Sequence, residues 1–163
     1  MHVVFIALMA VFNYLLHLFG GLIGINGQIV SLTDNRFDGL SLQFLFGYLF
    51  APLAWLMGAS SHDTIYIGQL LGEKTVINEF VAYISMSEMM KEGLLTDPRS
   101  IVIATYAICD FTNFSSSGIQ IGGSGALSPN QRQNLSSLGI KSLIGGTIAC
   151  FMTAVIAGML YSG

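Results

Sequence analysis

The sequence predicts an all-α membrane protein: spanning helices plus a re-entrant helical hairpin and a discontinuous helix. Three observations predict it. Only 9% of the 163 residues are charged, against about 25% in a soluble domain, while 53% are hydrophobic and the mean hydropathy is +0.68. Residues 1–33, 39–61 and 142–163 contain no Asp, Glu, Lys or Arg, and charge-free apolar runs of about 18 residues or more read as membrane-spanning helices. Between them lie shorter apolar stretches interrupted by polar residues, a pattern that irregular backbone at membrane depth requires.

The first span is expected from Val3 to Ile25. It lacks Lys or Arg near its start, and its apolar run exceeds the roughly 7–15 residues of a signal-peptide core. Gly20, Gly21 and Gly24 lie on one flank, where a second helix is able to approach closely. A polar loop follows from Asn26 to Asp38, with Asp34, Arg36 and Asp38 close together. Leu40–Met57 is apolar, barely long enough to span, and contains Pro52, which predicts a break or kink. An interfacial or broken helix fits it as well as a straight span does.

Ser60–Asp63 offers N-cap residues. Thr64–Leu71 is then a short helix, interrupted by Gly72-Glu73-Lys74-Thr75 at the tip of the hairpin, with Val76–Met90 as the returning arm. Lys91–Arg99 is a surface loop. Ser100–Cys109 and Gly118–Leu127 read as one discontinuous helix, distorted near residues 110–118. Paired discontinuous segments point to a transporter's binding site. Ser128–Asn134 is a loop, and Leu135–Tyr161 is the last span, with Lys141 near its start, where its long side chain is able to snorkel. The cations Arg36, Lys91, Arg99, Arg132 and Lys141 show no bias that orients the chain by the positive-inside rule.

Several function classes fall away. The net charge of −3 includes no basic patch, so nucleic acid is not an expected partner. His2, His17 and His62 lack metal-ligand spacing. Cys109 and Cys150 both sit in apolar sequence and read as packed thiols, with no metal-site spacing. Gly118–Gly125 lacks the G-x-G-x-x-G fingerprint and any βαβ context. No nucleophile–base pair or metal set suggests an enzyme, and no cofactor is expected.

The residues that point to chemistry are polar groups inside apolar sequence. Glu79 opens Glu-Phe-Val-Ala-Tyr-Ile; an intramembrane acid marks a substrate or ion path unless it is protonated or paired. The competing partner is Lys74, which the expected tip position otherwise places toward water. Asn113, Ser116 and Gln120 fall on one face if residues 113–120 are helical. They supply the donors and acceptors that match a sugar, with aromatic neighbours to pack on its apolar faces; interhelical hydrogen bonding is the alternative use. Asp110 either faces the same cavity or caps the next helix.

Gly72-Glu-Lys-Thr-Val-Ile-Asn-Glu-Phe-Val-Ala-Tyr83 and Phe111-Thr-Asn-Phe-Ser-Ser-Ser-Gly-Ile-Gln-Ile-Gly-Gly123 resemble motifs of the concentrative nucleoside transporter family. Gly39–Gln43, Phe50–Gly58 and Pro98–Ala107 extend the resemblance over essentially the whole chain. It implies cation-coupled nucleoside uptake, by sodium or proton, across the cytoplasmic membrane by a homotrimer that works as an elevator in the lipid bilayer. It assigns residues 1–25 to a scaffold helix and 26–163 to the C-terminal part of the transport domain. Within that part, 38–57 is an interfacial helix, 61–90 the re-entrant hairpin, 99–127 the broken helix and 135–161 the final helix.

The resemblance implies that Glu79, Asn113 and Ser116 bind ribose and that Phe111 lines the sugar pocket; Asn78, Asp110 and Gln120 are accessory candidates. Two positions depart from the family pattern: Asp110, usually a small residue, often Gly, and Thr112, often Ala. A first hairpin, which in the family contacts the base and helps form the sodium site, has no counterpart motif here. The expectation is a chain supplying the ribose-binding half of the pocket, with the sodium site in an upstream N-terminal half. The alternative is a truncated or split, non-transporting membrane protein acting as an assembly partner or remnant.

Overall fold

A computed structural model describes residues 2–33, 37–110 and 112–161. Among them all regular structure is helical: α1 (His2–Ile23), α2 (Ile25–Leu32), α3 (Leu42–Leu56), α4 (Thr64–Val76), α5 (Glu79–Lys91), α6 (Pro98–Ile108), α7 (Phe114–Leu127) and α8 (Arg132–Leu160), with a short 3-10 turn at Pro129–Gln131. Asp34, Arg36 and Phe111, singled out from the sequence, lie outside the described residues.

The first apolar run is not one straight span. Gly24 takes φ +76°, a left-handed conformation that glycine adopts at little cost, and the chain turns by 100° from α1 into α2. Part of the expected loop after residue 25 is therefore helical. Gly20 on that flank is met from within the chain: a Cβ there would stand 2.1 Å from Asn26 Oδ1 and 2.9 Å from Leu40 Cβ. Asn26 ties the corner by donating to the His17 carbonyl at 2.8 Å and accepting from Leu40 N at 3.0 Å.

Helix α3 starts at Ser41, whose hydroxyl accepts from Phe44 N at 3.2 Å, and continues through Pro52 without ending there. Its packing against α4 is close enough to involve backbone. A Cβ on Gly68 would meet the Gly47 carbonyl oxygen at 2.4 Å and Ala51 N at 2.8 Å; one on Gly72 would meet Phe46 Cβ at 2.2 Å. Gly68-x-x-x-Gly72 is thus a small-residue crossing of the kind that lets membrane helices approach. This also explains why Gly72–Thr75 does not interrupt α4. Gly72 receives the Phe46 side chain within a helix that runs on to Val76, and the break falls instead at Ile77–Asn78.

Helices α6 and α7 are separated by residues 109–113, a shorter break than the sequence suggests. The 3-10 turn at Pro129–Gln131 feeds directly into α8, which begins at Arg132 rather than Leu135. Ile67, Leu70 and Leu71 from α4, Ala82 from α5, Ile103, Ala104, Ala107 and Ile108 from α6 and Ala154 from α8 form the core, each almost wholly buried. At one end of it a polar knot joins two connections. Asp63 stands before α4 without capping it; its buried carboxylate accepts from Asp97 N at 3.2 Å, while Ser100 Oγ accepts from Ser60 N at 2.8 Å.

With its preceding turn, α8 is long and apolar enough to cross a bilayer. Ile140, Ile144, Ile148, Met152 and Ile156 recur every fourth residue on it and all are exposed. That stripe is apolar surface awaiting lipid or protein, since large exposed apolar patches are rare on soluble monomers.

Candidate functional site

The breaks after α4 and α6 bring two helix N-termini together. Asn78 is buried and extended between α4 and α5, and its side-chain oxygen accepts from Val81 N at 3.0 Å. Glu79 is therefore the first residue of α5, where the helix dipole favours a carboxylate. Asn113 repeats the device: it is fully buried, and its oxygen accepts from Ser116 N at 2.7 Å to cap α7. Its remaining group, the amide Nδ2, donates to Glu79 Oε2 at 3.1 Å. One asparagine thus uses its acceptor on its own helix and a donor on the other.

The remaining candidates are arranged around this pair. Ser116 is half-buried in the first turn of α7. Gln120 lies two turns into α7 and is exposed, while the position expected to line a sugar pocket, Phe111, is outside the described residues. The sequence alternative that paired Lys74 with Glu79 does not hold.

Lys74 is only 1% exposed, so it does not reach water either. Its ammonium forms an ion pair with Asp110 Oδ1 and donates to the Ala107 carbonyl at 2.9 Å. Asp110 neither caps α7 nor stands alone, for its Oδ1 also accepts from Thr112 Oγ1 at 2.6 Å. The two positions that depart from the family pattern are therefore hydrogen-bonded to each other. Thr112 in turn presses on α8, where a Cβ on Gly146 would lie 2.3 Å from Thr112 Cγ2.

Lys74 belongs to a larger device that sequence reasoning missed. The last carbonyls of a helix lack intrahelical donors. At the end of α6, Tyr83 Oη donates to the Thr105 carbonyl at 2.9 Å, the Cys150 thiol to the Tyr106 carbonyl at 3.1 Å, and Lys74 to Ala107. Side chains from α5, α8 and α4 thus close the C-terminus of α6, and a cation there suits the helix dipole. The available signal was a lysine inside an apolar helix, a placement that demands a partner. The cysteines divide: Cys150 is the buried thiol of this device, whereas Cys109 is exposed, contrary to its apolar sequence neighbourhood. Among the described residues, no group of three or more His, Cys, Asp or Glu side chains is placed to hold a metal ion.

The arrangement is a half-buried carboxylate backed by a fully buried amide at two convergent helix N-termini. It is suited to hydrogen-bonding a neutral polyhydroxylated ligand, with the carboxylate accepting from hydroxyls and the helix ends attracting their oxygens.

Comparison with known proteins gives the same direction. Residues 1–158 match the family described as Na+ dependent nucleoside transporter C-terminus. Solute carrier family 28 member 3 of Homo sapiens is 39% identical over 158 residues, 88% of this chain and 23% of that protein. Sodium/nucleoside cotransporter 1 of Rattus norvegicus is 38% identical over 136 residues, 76% of this chain and 21% of that protein. Among solved structures, CNTnw in an inward-facing substrate-bound state superposes with a TM-score of 0.74 at 34% identity, covering 96% of this chain and 35% of that one. The chain thus spans between about a fifth and a third of the length of these relatives. It belongs to the concentrative, Na+ dependent nucleoside transporter family of membrane proteins and corresponds to the C-terminal part of that family.

Proposed function

We propose that this chain supplies the ribose-binding half of a cation-coupled nucleoside importer of the cytoplasmic membrane. The observation that carries the reading is the 3.1 Å hydrogen bond between Asn113 Nδ2 and Glu79 Oε2. It holds a carboxylate at the meeting point of α5 and α7 as the acceptor for a sugar hydroxyl, and the family resemblance assigns Asn113 to the ribose with it. Ser116 adds a hydroxyl one turn along α7, and the family resemblance adds Phe111 to the sugar pocket. Asn78 fixes Glu79 by capping α5; Asp110 holds the break through Lys74.

In this reading α4 and α5 form the hairpin that enters the membrane without crossing it, α6 and α7 form the broken helix, and α1 belongs to the scaffold on which a homotrimeric elevator moves. Sodium or a proton supplies the driving force, and the names of the family and of the Rattus norvegicus cotransporter favour sodium.

The test joins the chain to the N-terminal portion of CNTnw and measures uridine uptake in cells against 2′-deoxy and 3′-deoxy uridine. Uptake is expected to fall at least tenfold for E79Q, the loss of one charge-assisted hydrogen bond of about 1.5–3 kcal/mol. Preference for ribose over deoxyribose is expected to vanish with it. Unchanged uptake and sugar preference in E79Q would overturn the assignment.

A further inference from the structure

Away from Glu79 and Asn113, a second buried acid has bonding capacity that the fold leaves unused. Glu73 is 4% exposed. Its Oε1 accepts from Gln69 Nε2 at 2.9 Å, and its Oε2 has no hydrogen-bond partner among the described residues. The carboxyl stands in the wall of a cleft of about 530 Å³ between α1, the segment before α3, and α4–α5. Among the described residues, the other titratable groups facing that cleft are His17 from α1, Asp38 from the α2–α3 connection, Tyr66 from α4, and Glu88 and Glu92 from α5, and no described Lys or Arg lines it.

Three features work against an ionised carboxylate here, and the Gln69 amide hydrogen bond opposes them. Burial without a partner for one oxygen removes hydration and returns nothing. Three further acids share the cleft and repel a fourth charge. Glu73 also occupies the last turns of α4, the negative end of the helix dipole, where an anion is disfavoured. Two other buried or half-buried acids are treated differently. Asp63 has His62 and Asp97 N as partners, and Glu79 has the Asn113 amide and a helix N-terminus. Among the described residues, no group of three or more His, Cys, Asp or Glu side chains is placed at Glu73 to hold a metal ion.

We infer that Glu73 is a proton-binding site, filled through the acid-lined cleft, whose Oε2 holds the proton and directs it at the Ser85 hydroxyl across the cleft on α5. The neutral acid satisfies burial, and Ser85 lines the same cleft; its hydroxyl is a donor toward the ionised form and an acceptor toward the acid's O–H. A movement that opens the α1 side of the cleft to water lets Glu73 ionise, so proton release and cleft opening are reciprocally linked. This inference does not depend on the identity of any substrate at Glu79.

Infrared spectroscopy of the chain in lipid nanodiscs tests it. The wild-type protein is expected to show the C=O stretch of a protonated carboxyl at neutral pH, lost on raising the pH and absent from E73Q, with E79Q, E88Q and D63N retaining it. No such band in the wild type, or a band that persists in E73Q, overturns the inference. Should circular dichroism show E73Q unfolded, the other three variants decide: loss of the band in any of them places the proton elsewhere and overturns it, while survival in all three supports Glu73. Exchange of potassium for sodium at fixed pH is expected to leave the band unchanged; its loss on adding sodium would make this a metal-cation site and overturn the proton assignment.

Discussion

The ammonium of Lys74 on α4 is sealed against the carboxylate of Asp110 in the break between α6 and α7. The same ammonium closes the end of α6 at the Ala107 carbonyl. This ion pair sets where α6 stops, and thereby where Asn113 begins α7 beside Glu79.

Removing one member of such a pair is worse than removing both, because the survivor keeps a charge without compensation. K74M is expected to destabilise the chain by about 3 kcal/mol, the low end of the usual range because Asp110 is a quarter exposed. The double variant K74M/D110G is expected to recover part of that loss. Thermal melts in nanodiscs, arranged as a double-mutant cycle, measure the coupling; strictly additive losses would show that the pair contributes nothing.

Glu79 and Asn113 offer an exchange experiment. N113D keeps an acceptor for Ser116 N but faces the Glu79 carboxylate with a second one, and is expected to cost about 1–3 kcal/mol through a lost bond and like-charge repulsion. E79Q/N113D exchanges amide and carboxylate, so the bond re-forms with its direction reversed. Stability in the double variant is expected to return close to wild type. A double variant no more stable than N113D would show that the two side chains do not bond.

The α3–α4 crossing makes a steric prediction. In G68A the new methyl meets backbone atoms of Gly47 and Ala51, which have no rotamer with which to move away. The helices must separate, and a loss of about 1–3 kcal/mol is expected from overpacking. G145A on α8 is the control. Nothing lies within 4 Å of its added methyl, so the helix-propensity gain of up to about 1 kcal/mol is expected to show. Equal melting temperatures for the two variants would remove the close-contact argument.

Acid sensitivity is expected at the connection before α6. Asp97 accepts from the Ser100 hydroxyl at 2.7 Å and from Ser100 N at 2.8 Å. These bonds, the hydroxyl's first, hold its carboxyl below the ordinary aspartate value of 3.8. A depressed folded-state pKa stabilises the fold above the unfolded value, and the contribution disappears as pH falls through the folded value. Between pH 6 and strongly acidic solution, about pH 2, the wild type is therefore expected to lose stability that D97N does not lose. Asparagine remains a good N-cap, so the two proteins are expected to differ little at pH 7 except for the charge. Parallel pH–stability curves would contradict this.

Much of the architecture was legible from residue order. Charge-free apolar runs announced helices in a membrane, and the acid at Glu79 and the polar run at Asn113 stood out against them. Helix limits were less legible where a signal had two uses. Gly72 read as a turn residue but serves as a contact surface for Phe46; Gly24 read as a packing residue but forms the 100° corner. Pro52 read as a helix breaker, yet α3 passes through it while packed along α4.

The amino-acid order alone determined that the chain is helical, that it is too apolar for water on most of its surface, and which polar residues needed compensation. Hydropathy and residue type are local quantities, and each residue carries them wherever it ends up. Only the tertiary structure decided the partners: Lys74 with Asp110 rather than Glu79, Glu79 with Asn113, and Glu73 with one oxygen left over. Those outcomes depend on where distant helices end and cross, because burial turns a polar atom's need for a partner into a constraint that only a neighbour in space is able to meet.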